Sequence, residues 1–148
     1  GEIGHVPVPM AGETVALERV LSRLSVQNHL AKAGLVVSTS SELAGFFDRE
    51  DPILMEWLDS AAVALSHATA IIENLLDPET IILGGAMPDT LIDLLIASAT
   101  LADRSVANRP TRSAPRLMRG TCGHMAGSRG AGALVIHRAF TPRITATV

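Results

Sequence analysis

Apolar residues recur at helical spacing through the middle of the chain and predict its longest element. Between Asp51-Pro52 and Asp77-Pro78 they are separated alternately by four and three positions, which places them on one side of an α-helix. Proline is favoured at the first position of a helix and disrupts the interior of one. The pattern therefore predicts a core helix from Pro52 to about Asp77. Its apolar stripe consists of Leu54, Leu58, Ala61, Leu65, Ala68, Ile72 and Leu75.

Two further helices are predicted before this one. Apolar residues at helical spacing predict a helix over residues 14–33, with Gly34 as its C-terminal cap. Thr39 and Glu42 have the spacing of a capping box, in which each side chain binds a backbone N–H of the first helical turn. They predict the start of a short helix over residues 41–47.

The second half of the chain alternates between strand and helix signals. Thr80–Leu83 is a short apolar run, which is typical of a strand buried on both faces. Gly84-Gly85 supplies a turn after it. The other predicted elements are an opening loop or edge strand at 1–8, a helix at 88–102, a strand at 116–119 and a last helix after the glycine-rich stretch 120–132 that ends near Phe140.

This order of elements predicts a fold class. After the opening segment come three helices, a strand, a helix, a strand and a final helix. Buried strands that alternate with helices are typical of an α/β domain with parallel strand pairing.

Composition narrows the function classes. The chain has 148 residues, 47% hydrophobic and 18% charged, which suits one globular domain. A net charge of -3 and only three Phe and one Trp argue against nucleic-acid binding by these residues. Cys122 is the single cysteine, so we expect a reducing, cytoplasmic location and interpret Cys122 as a small buried hydrophobe. No apolar run is long enough to span a bilayer, so no membrane partner is expected.

Two segments could carry chemistry. Glu2 and His5 are flanked by glycines, and such side chains accept or donate hydrogen bonds to hydroxyl groups; the alternative is a solvated loop. Gly84, Gly85 and Ala86 lie between a strand and a helix, where backbone N–H groups can approach a phosphate; the alternative is an ordinary tight turn. Cys122 and His124 are too few for a metal site.

Three stretches in this order resemble the C-terminal half of ROK-family proteins (repressors, ORFs and kinases). They are GEIGH at Gly1–His5, NLLDPETIILGG at Asn74–Gly85 and GSRGAGA at Gly127–Ala133. The resemblance covers most of residues 1–140 and implies the second ribonuclease-H-like lobe of the actin/hexokinase type, a mixed sheet with flanking helices. Residues 141–148 are then a tail, and we expect that an N-terminal lobe is missing.

The resemblance also implies a sugar site. Family members bind a sugar between two lobes, and by motif Glu2 and His5 would bind hydroxyl groups of a monosaccharide or amino sugar. Leu17-Glu18 with Ser22 resembles the Leu-Glu-xxx-Ser that follows the family's last zinc-binding cysteine, so Glu18 would be a further sugar ligand. Gly84, Gly85 and Ala86 would lie on the nucleotide side of a kinase.

The departures from the family pattern bear on cofactors. No cysteine lies between His5 and Glu18 and the loop is short, so we expect that the zinc site is lost and that no residue here binds a metal. Ala86 replaces the third glycine of the usual Leu-Gly-Gly-Gly. No catalytic residue is assigned, because the family's phosphate loop and catalytic Asp belong to the missing lobe. The chain alone should therefore lack kinase activity and need no cofactor, and ATP and Mg would bind only if the whole protein is a kinase.

Two functions fit these residues. One is a sugar-responsive transcriptional regulator that binds DNA only through its missing N-terminal domain, and the other is an ATP-dependent sugar kinase of the glucokinase or fructokinase type. The lost zinc loop and Ala86 favour the regulator. A third interpretation limits the similarity to an α/β fold. In either case the apolar face that the missing lobe leaves exposed should favour a homo-oligomer.

Overall fold

The computed structural model describes residues 2–141, with the exception of the His124 side chain. Gly1 and most of the predicted tail at 141–148 lie outside the described residues. The strands are β1 Pro7–Met10, β2 Glu13–Ala16, β3 Ile81–Leu83 and β4 Leu117–Arg119; the α-helices are α1 Arg23–Lys32, α2 Ser40–Asp48, α3 Pro52–Leu76, α4 Asp89–Ser98 and α5 Ala126–Phe140. Short 3₁₀ helices lie at Ile3–His5, Leu17–Arg19 and Gly123–Met125.

From α1 onward, the predicted order of elements is confirmed. The chain runs through three α-helices, a strand, a helix, a strand and a helix. β3 and β4 pair in parallel, with Ile81 opposite Leu117, and α4 connects them. The chain is therefore an α/β structure, as the pattern predicts.

The helix predicted over 14–33 is wrong in its first half. β1 and β2 instead form an antiparallel hairpin, with Met10 opposite Glu13. Ala11 and Gly12 connect them at φ values of 47° and 88°, and two positive φ values are what a type I′ turn requires. Within this range Leu17–Arg19 is a 3₁₀ helix and only α1, from Arg23 onward, is α-helical; Gly34 follows α1 in the left-handed region as predicted.

Local capping signals place the next two helices. The Thr39 side chain accepts a hydrogen bond from the Glu42 backbone, and the Glu42 side chain accepts one from the Thr39 backbone, so the predicted capping box is confirmed. The Asp51 side chain accepts from the Ile53 backbone at 3.0 Å, and α3 begins at Pro52 as predicted. These caps satisfy backbone N–H groups that have no partner inside the helix.

The core surrounds α3, which packs on α1, α4 and β1. Most of its predicted apolar stripe is buried, but Leu75, the last residue of the stripe, is 76% exposed. Glu73, which is not part of the stripe, is only 1% exposed. The stripe repeats about every 3.5 residues, whereas a straight helix turns once in 3.6, so the stripe drifts by roughly 60° over three heptads. The buried face consequently shifts from Leu54 and Leu58 at one end to Thr69 and Glu73 at the other.

β3 is covered on one face only. Ile81 and Leu83 pack against the core, whereas Ile82 is 61% exposed. The prediction of a strand buried on both faces is therefore wrong, because the described helices cover a single side of the β3–β4 pair. The predicted end of the last helix at Phe140 is confirmed, and every described side chain of α5 is exposed.

Candidate functional site

Two short 3₁₀ helices bring the three predicted sugar-binding residues onto neighbouring turns. His5 ends the first turn, Glu2 caps it, and Glu18 lies in the second. A Cβ atom placed on Gly4 would lie 3.3 Å from both Cβ and Oε2 of Glu18. Glycine at position 4 therefore lets the Glu18 side chain lie directly on the first turn.

The hairpin positions these turns. The first residue of β1, Pro7, lies opposite the last residue of β2, Ala16. The Leu17 N–H donates to the Val6 carbonyl at 2.9 Å, which extends the ladder to the 3₁₀ helices. Val8 and Leu17 are buried against α3, so the hairpin is anchored to the core. The segment that in the resemblance would be a zinc loop is here a hydrogen-bonded hairpin.

The three side chains are available to a ligand. Glu2, His5 and Glu18 are all exposed. Carboxylates accept hydrogen bonds from hydroxyl groups, and a neutral imidazole donates from one nitrogen and accepts at the other. Of the three, Glu18 lines a pocket of the described structure.

Metal-binding side chains are dispersed. Over the part of the chain that the structure describes, no three His, Cys, Asp or Glu side chains are close enough to hold a metal ion. Cys122 is exposed, so its interpretation as a buried hydrophobe is wrong; it precedes the Gly123–Met125 turn at the surface. None of the described helices is long and apolar enough to cross a membrane.

A pocket of about 310 Å³ lies next to the 3₁₀ helices. Gly4 and Glu18 form one part of its wall, and Gly84 forms another. The predicted sugar residue Glu18 and the predicted nucleotide turn therefore open on the same pocket. Between them the wall is built from α3, β3, α4 and the turn before α4, and includes Leu65, Ala68, Thr69, Ile72, Leu83, Met87 and Leu95.

The glycine turn leads from β3 into α4. Gly85 has a φ of 134°, a conformation that side chains rarely tolerate, whereas a Cβ on Gly84 would meet no atom within 4 Å. The Ser40 hydroxyl donates to the Ala86 carbonyl at 2.8 Å and ties the turn to α2. Pro88 caps α4 without an N–H group, and Asp89 places a carboxylate in its first turn. The Arg119 guanidinium donates a hydrogen bond to the Asp89 carboxylate at 2.8 Å, so the acidic side chain at this helix end is paired.

Comparison with known proteins identifies the family. The sequence profile of the ROK family matches residues 1–138. The chain belongs to the ROK family. A crystal structure of a ROK hexokinase from Thermus thermophilus is similar, with a TM-score of 0.60 and 22% sequence identity over 93% of this chain. The predicted actin/hexokinase fold is thereby confirmed.

Two further comparisons define the extent of the match. This ROK chain spans about half the length of that hexokinase, since the aligned part covers 49% of it. No curated protein matches the sequence.

The ROK motifs occupy different environments. Within GEIGH, Ile3–His5 form the first 3₁₀ turn, and NLLDPETIILGG spans the end of α3, β3 and the glycine turn. Within the latter, Asp77 ends α3 in the left-handed conformation at φ 43°. The glycines of GSRGAGA lie inside α5, where a Cβ on Gly127, Gly130 or Gly132 would meet no atom within 4 Å.

One charged cluster was not predicted from the sequence. The Glu73 carboxylate accepts hydrogen bonds from Arg116 Nε at 2.7 Å, from Arg116 Nη2 at 2.6 Å and from the Ser105 hydroxyl at 2.6 Å. The hydrogen bond from Arg116 is the largest cause that lowers the pKa of Glu73, and burial opposes it. The signal that could have revealed this cluster is the helical position of Glu73. It lies four residues after Thr69 and eight after Leu65, which places it on the buried side of α3. The cluster anchors the segment before β4 to α3.

Proposed function

We propose that this chain is the sugar-binding half of a ROK-family transcriptional regulator, which responds to a monosaccharide or amino sugar without phosphorylating it. The observation that carries the proposal is the contact between Gly4 and Glu18, which puts Glu2, His5 and Glu18 on adjacent turns. These are the positions that the family motif assigns to the sugar.

The hairpin supports this proposal. Sugar recognition needs several polar groups held in fixed relative positions, because each free side chain that is ordered on binding costs free energy. Here the backbone ladder between β1 and β2 and the burial of Val8 and Leu17 hold the turns in place. The chain therefore has a means of fixing Glu18 beside the GEIGH turn that does not involve cysteine ligands.

The end of α4 favours a regulator over a kinase. Pro88, at the N-cap of α4, offers a nucleotide phosphate no N–H donor. Ala86 replaces a glycine of the family turn, and its carbonyl is bound by Ser40. The net charge of -3 argues that DNA contacts belong to another domain of the whole protein.

A sugar kinase is the second candidate function. Its specific support is that Gly84 and Glu18 line one pocket, which would bring a nucleotide turn close to a sugar ligand. ATP and Mg would then be required, and the reaction would need residues beyond those in this chain.

Sugar binding is testable by calorimetric titration of the chain with a panel of hexoses and hexosamines. We expect Glu18→Gln to weaken binding by about 10- to 100-fold, because hydrogen bonds to a charged group contribute about 1.5–3 kcal/mol. Glu13→Gln is the matched control, since Glu13 is an exposed glutamate on β2 of the same hairpin. Equal affinities for the two variants would contradict the proposed site.

An assay of sugar phosphorylation by ATP distinguishes a regulator from a kinase. With the preferred sugar, labelled ATP and Mg, the proposal expects no phosphorylated sugar from the chain or from its full-length protein. Sugar-dependent ATP hydrolysis by the full-length protein would establish the kinase instead. Sugar-dependent release of DNA by that protein would support the regulator.

A further inference from the structure

The turn that carries Glu18 is bound to the core by a tryptophan. Val20 directly follows the Leu17–Arg19 turn, in which Glu18 lies. Its carbonyl oxygen accepts hydrogen bonds from Trp57 Nε1 at 3.1 Å and from the Ser25 hydroxyl at 2.6 Å. Two α-helices therefore hold the backbone next to the candidate sugar ligand, α3 through Trp57 and α1 through Ser25.

Core packing accounts for the ring of Trp57 but not for the direction of its N–H group. The residue is 3% exposed and belongs to the main core around α3. Leucine or phenylalanine would fill such a site without a polar atom, whereas a buried indole N–H needs an acceptor. Here the N–H is shared between the Val20 carbonyl and Ser25 Oγ, which lies 3.0 Å away. The bond to Val20 exists only while the turn keeps this position.

The indole and the Glu18 side chain also line one groove. This groove has a volume of about 930 Å³, lies beside α1, and has Glu18, Ser25 and Trp57 in its wall. A Cβ placed on Gly4 would lie 3.3 Å from Glu18 Oε2. A small movement of the turn would therefore change both how the carboxylate lies against the GEIGH segment and how the groove is shaped.

We infer that Trp57, together with Ser25, is a positioning residue of the proposed sugar site. By binding the Val20 carbonyl, the pair fixes the Leu17–Arg19 turn where the Glu18 carboxylate meets the ligand, and a ligand at Glu18 alters the surroundings of the indole. Recognition by polar groups requires them to lie within about 0.5 Å of the productive geometry. The inference rests on the proposed function, because the ligand at Glu18 is taken to be a sugar.

Tryptophan fluorescence tests the inference on the unaltered chain. Trp57 is the single tryptophan and the chain has no tyrosine, so its emission reports on this site alone. We expect titration with hexoses and hexosamines to change the emission with the same midpoint that calorimetry gives. Glu18→Gln should raise that midpoint by about 10- to 100-fold. Binding that calorimetry detects while the emission stays constant would overturn the inference.

A double-mutant cycle separates positioning from general stability. Trp57→Phe keeps an aromatic ring and removes the N–H group, so it should weaken sugar binding about fivefold. In a Glu18→Ala background it should have no further effect, because the group to be positioned is gone. Leu54→Val is the control, since Leu54 is buried on the same helix and in the same core. It should lower the denaturation midpoint and leave the sugar affinity unchanged.

The outcomes distinguish this inference from the proposed function. Glu18-dependent binding that Trp57→Phe leaves unchanged, or weakens equally with and without Glu18, would overturn the positioning role alone. An equal loss of affinity in Leu54→Val would assign the effect to core packing and overturn that role too. Absence of binding by every sugar in the panel would overturn both proposals. If Trp57→Phe does not fold, Ser25→Ala removes the shorter hydrogen bond to the same carbonyl, and the same cycle decides the question.

Discussion

Glu73 is a buried carboxylate on the core-facing side of α3, and its three hydrogen bonds compensate its lost hydration. Arg116 is itself largely buried, so removal of the carboxylate would leave a buried cation unpaired. The same helix ends at Asp77, whose pair with Arg109 lies at the surface at 2.8 Å. These two pairs allow a buried and an exposed ion pair to be compared in one molecule.

We expect Glu73→Gln to lower the free energy of unfolding by about 3 kcal/mol, because one partner of a buried pair is lost. Asp77→Asn is the control and should cost about 0.5 kcal/mol or less, since exposed pairs contribute little and asparagine tolerates the left-handed conformation. Urea unfolding at pH 7 measures both. Similar losses would mean that the Glu73 cluster is not a stabilising feature.

The same residue predicts a pH dependence. Because Arg116 holds the pKa of Glu73 below its ordinary value of 4.5, the folded state binds this proton less readily than the unfolded state. Its stabilisation is therefore complete above about pH 4.5 and is lost as the pH falls through the lowered pKa of the folded state. Glu42 also has a lowered pKa, because it accepts hydrogen bonds from the Ser38 and Thr39 backbone. The pH dependence of wild-type stability therefore does not by itself report on Glu73.

The difference between wild type and Glu73→Gln isolates the contribution of Glu73. Unfolding curves at pH 7, 5, 4 and 3 should show this difference shrinking toward low pH. A difference that stays constant from pH 7 to pH 3 would show that the carboxylate does not titrate as inferred.

The second strand of the hairpin, β2, is the element that the sequence pattern misidentified as the start of a helix. The apolar residues from Leu17 onward have helical spacing, yet Val8 of β1 and Leu17, directly after β2, reach the core together. A helix over 14–33 would remove the strand partner of β1 and the contact between Leu17 and Val6. Periodicity alone does not distinguish these outcomes, because a short stretch of apolar residues can satisfy either period.

The turn of this hairpin gives a prediction at the element scale. Ala11 has a φ of 47°, which costs free energy for alanine and less for asparagine. Ala11→Asn should therefore raise the free energy of unfolding by about 0.5–1 kcal/mol. The same change at Ala31, within α1, should lower it by about 0.5 kcal/mol. Thermal and urea unfolding would measure both, and a loss of stability in Ala11→Asn would contradict the turn geometry.

At the scale of the whole molecule, α5 presents apolar side chains to solvent. Leu134, Val135, Ile136 and Phe140 are each at least 60% exposed. Exposed apolar side chains concentrated on one helix promote association. The homo-oligomer predicted from the sequence therefore has a definite candidate surface, and it remains a prediction.

We expect the chain to elute from a sizing column above its monomer mass of 15.5 kDa, and Leu134→Lys with Val135→Lys to shift it toward the monomer. Val36→Lys is the control, because Val36 is also highly exposed but belongs to the loop after α1. Light scattering across a concentration series provides the absolute mass. A monomeric wild type at high concentration would contradict the role of α5.

The sequence by itself determined the features that depend on neighbouring residues. The start of α3, the capping box at Thr39 and Glu42, the glycine turn after β3 and the family motifs are all local patterns, and the structure contains each of them. The candidate sugar residues also follow from motif matches, although their role stays a prediction.

Tertiary structure decided which faces are buried and which distant residues meet. Glu73 and Arg116 are 43 positions apart, and Thr69, Glu18 and Gly84 reach one pocket from α3, a 3₁₀ turn and the end of β3. Packing between distant elements likewise determines the hairpin, the exposed face of β3 and the rotation of the buried face along α3. Local spacing fixes the direction of a side chain along its element, whereas its burial depends on the neighbouring elements, which no short stretch of sequence specifies.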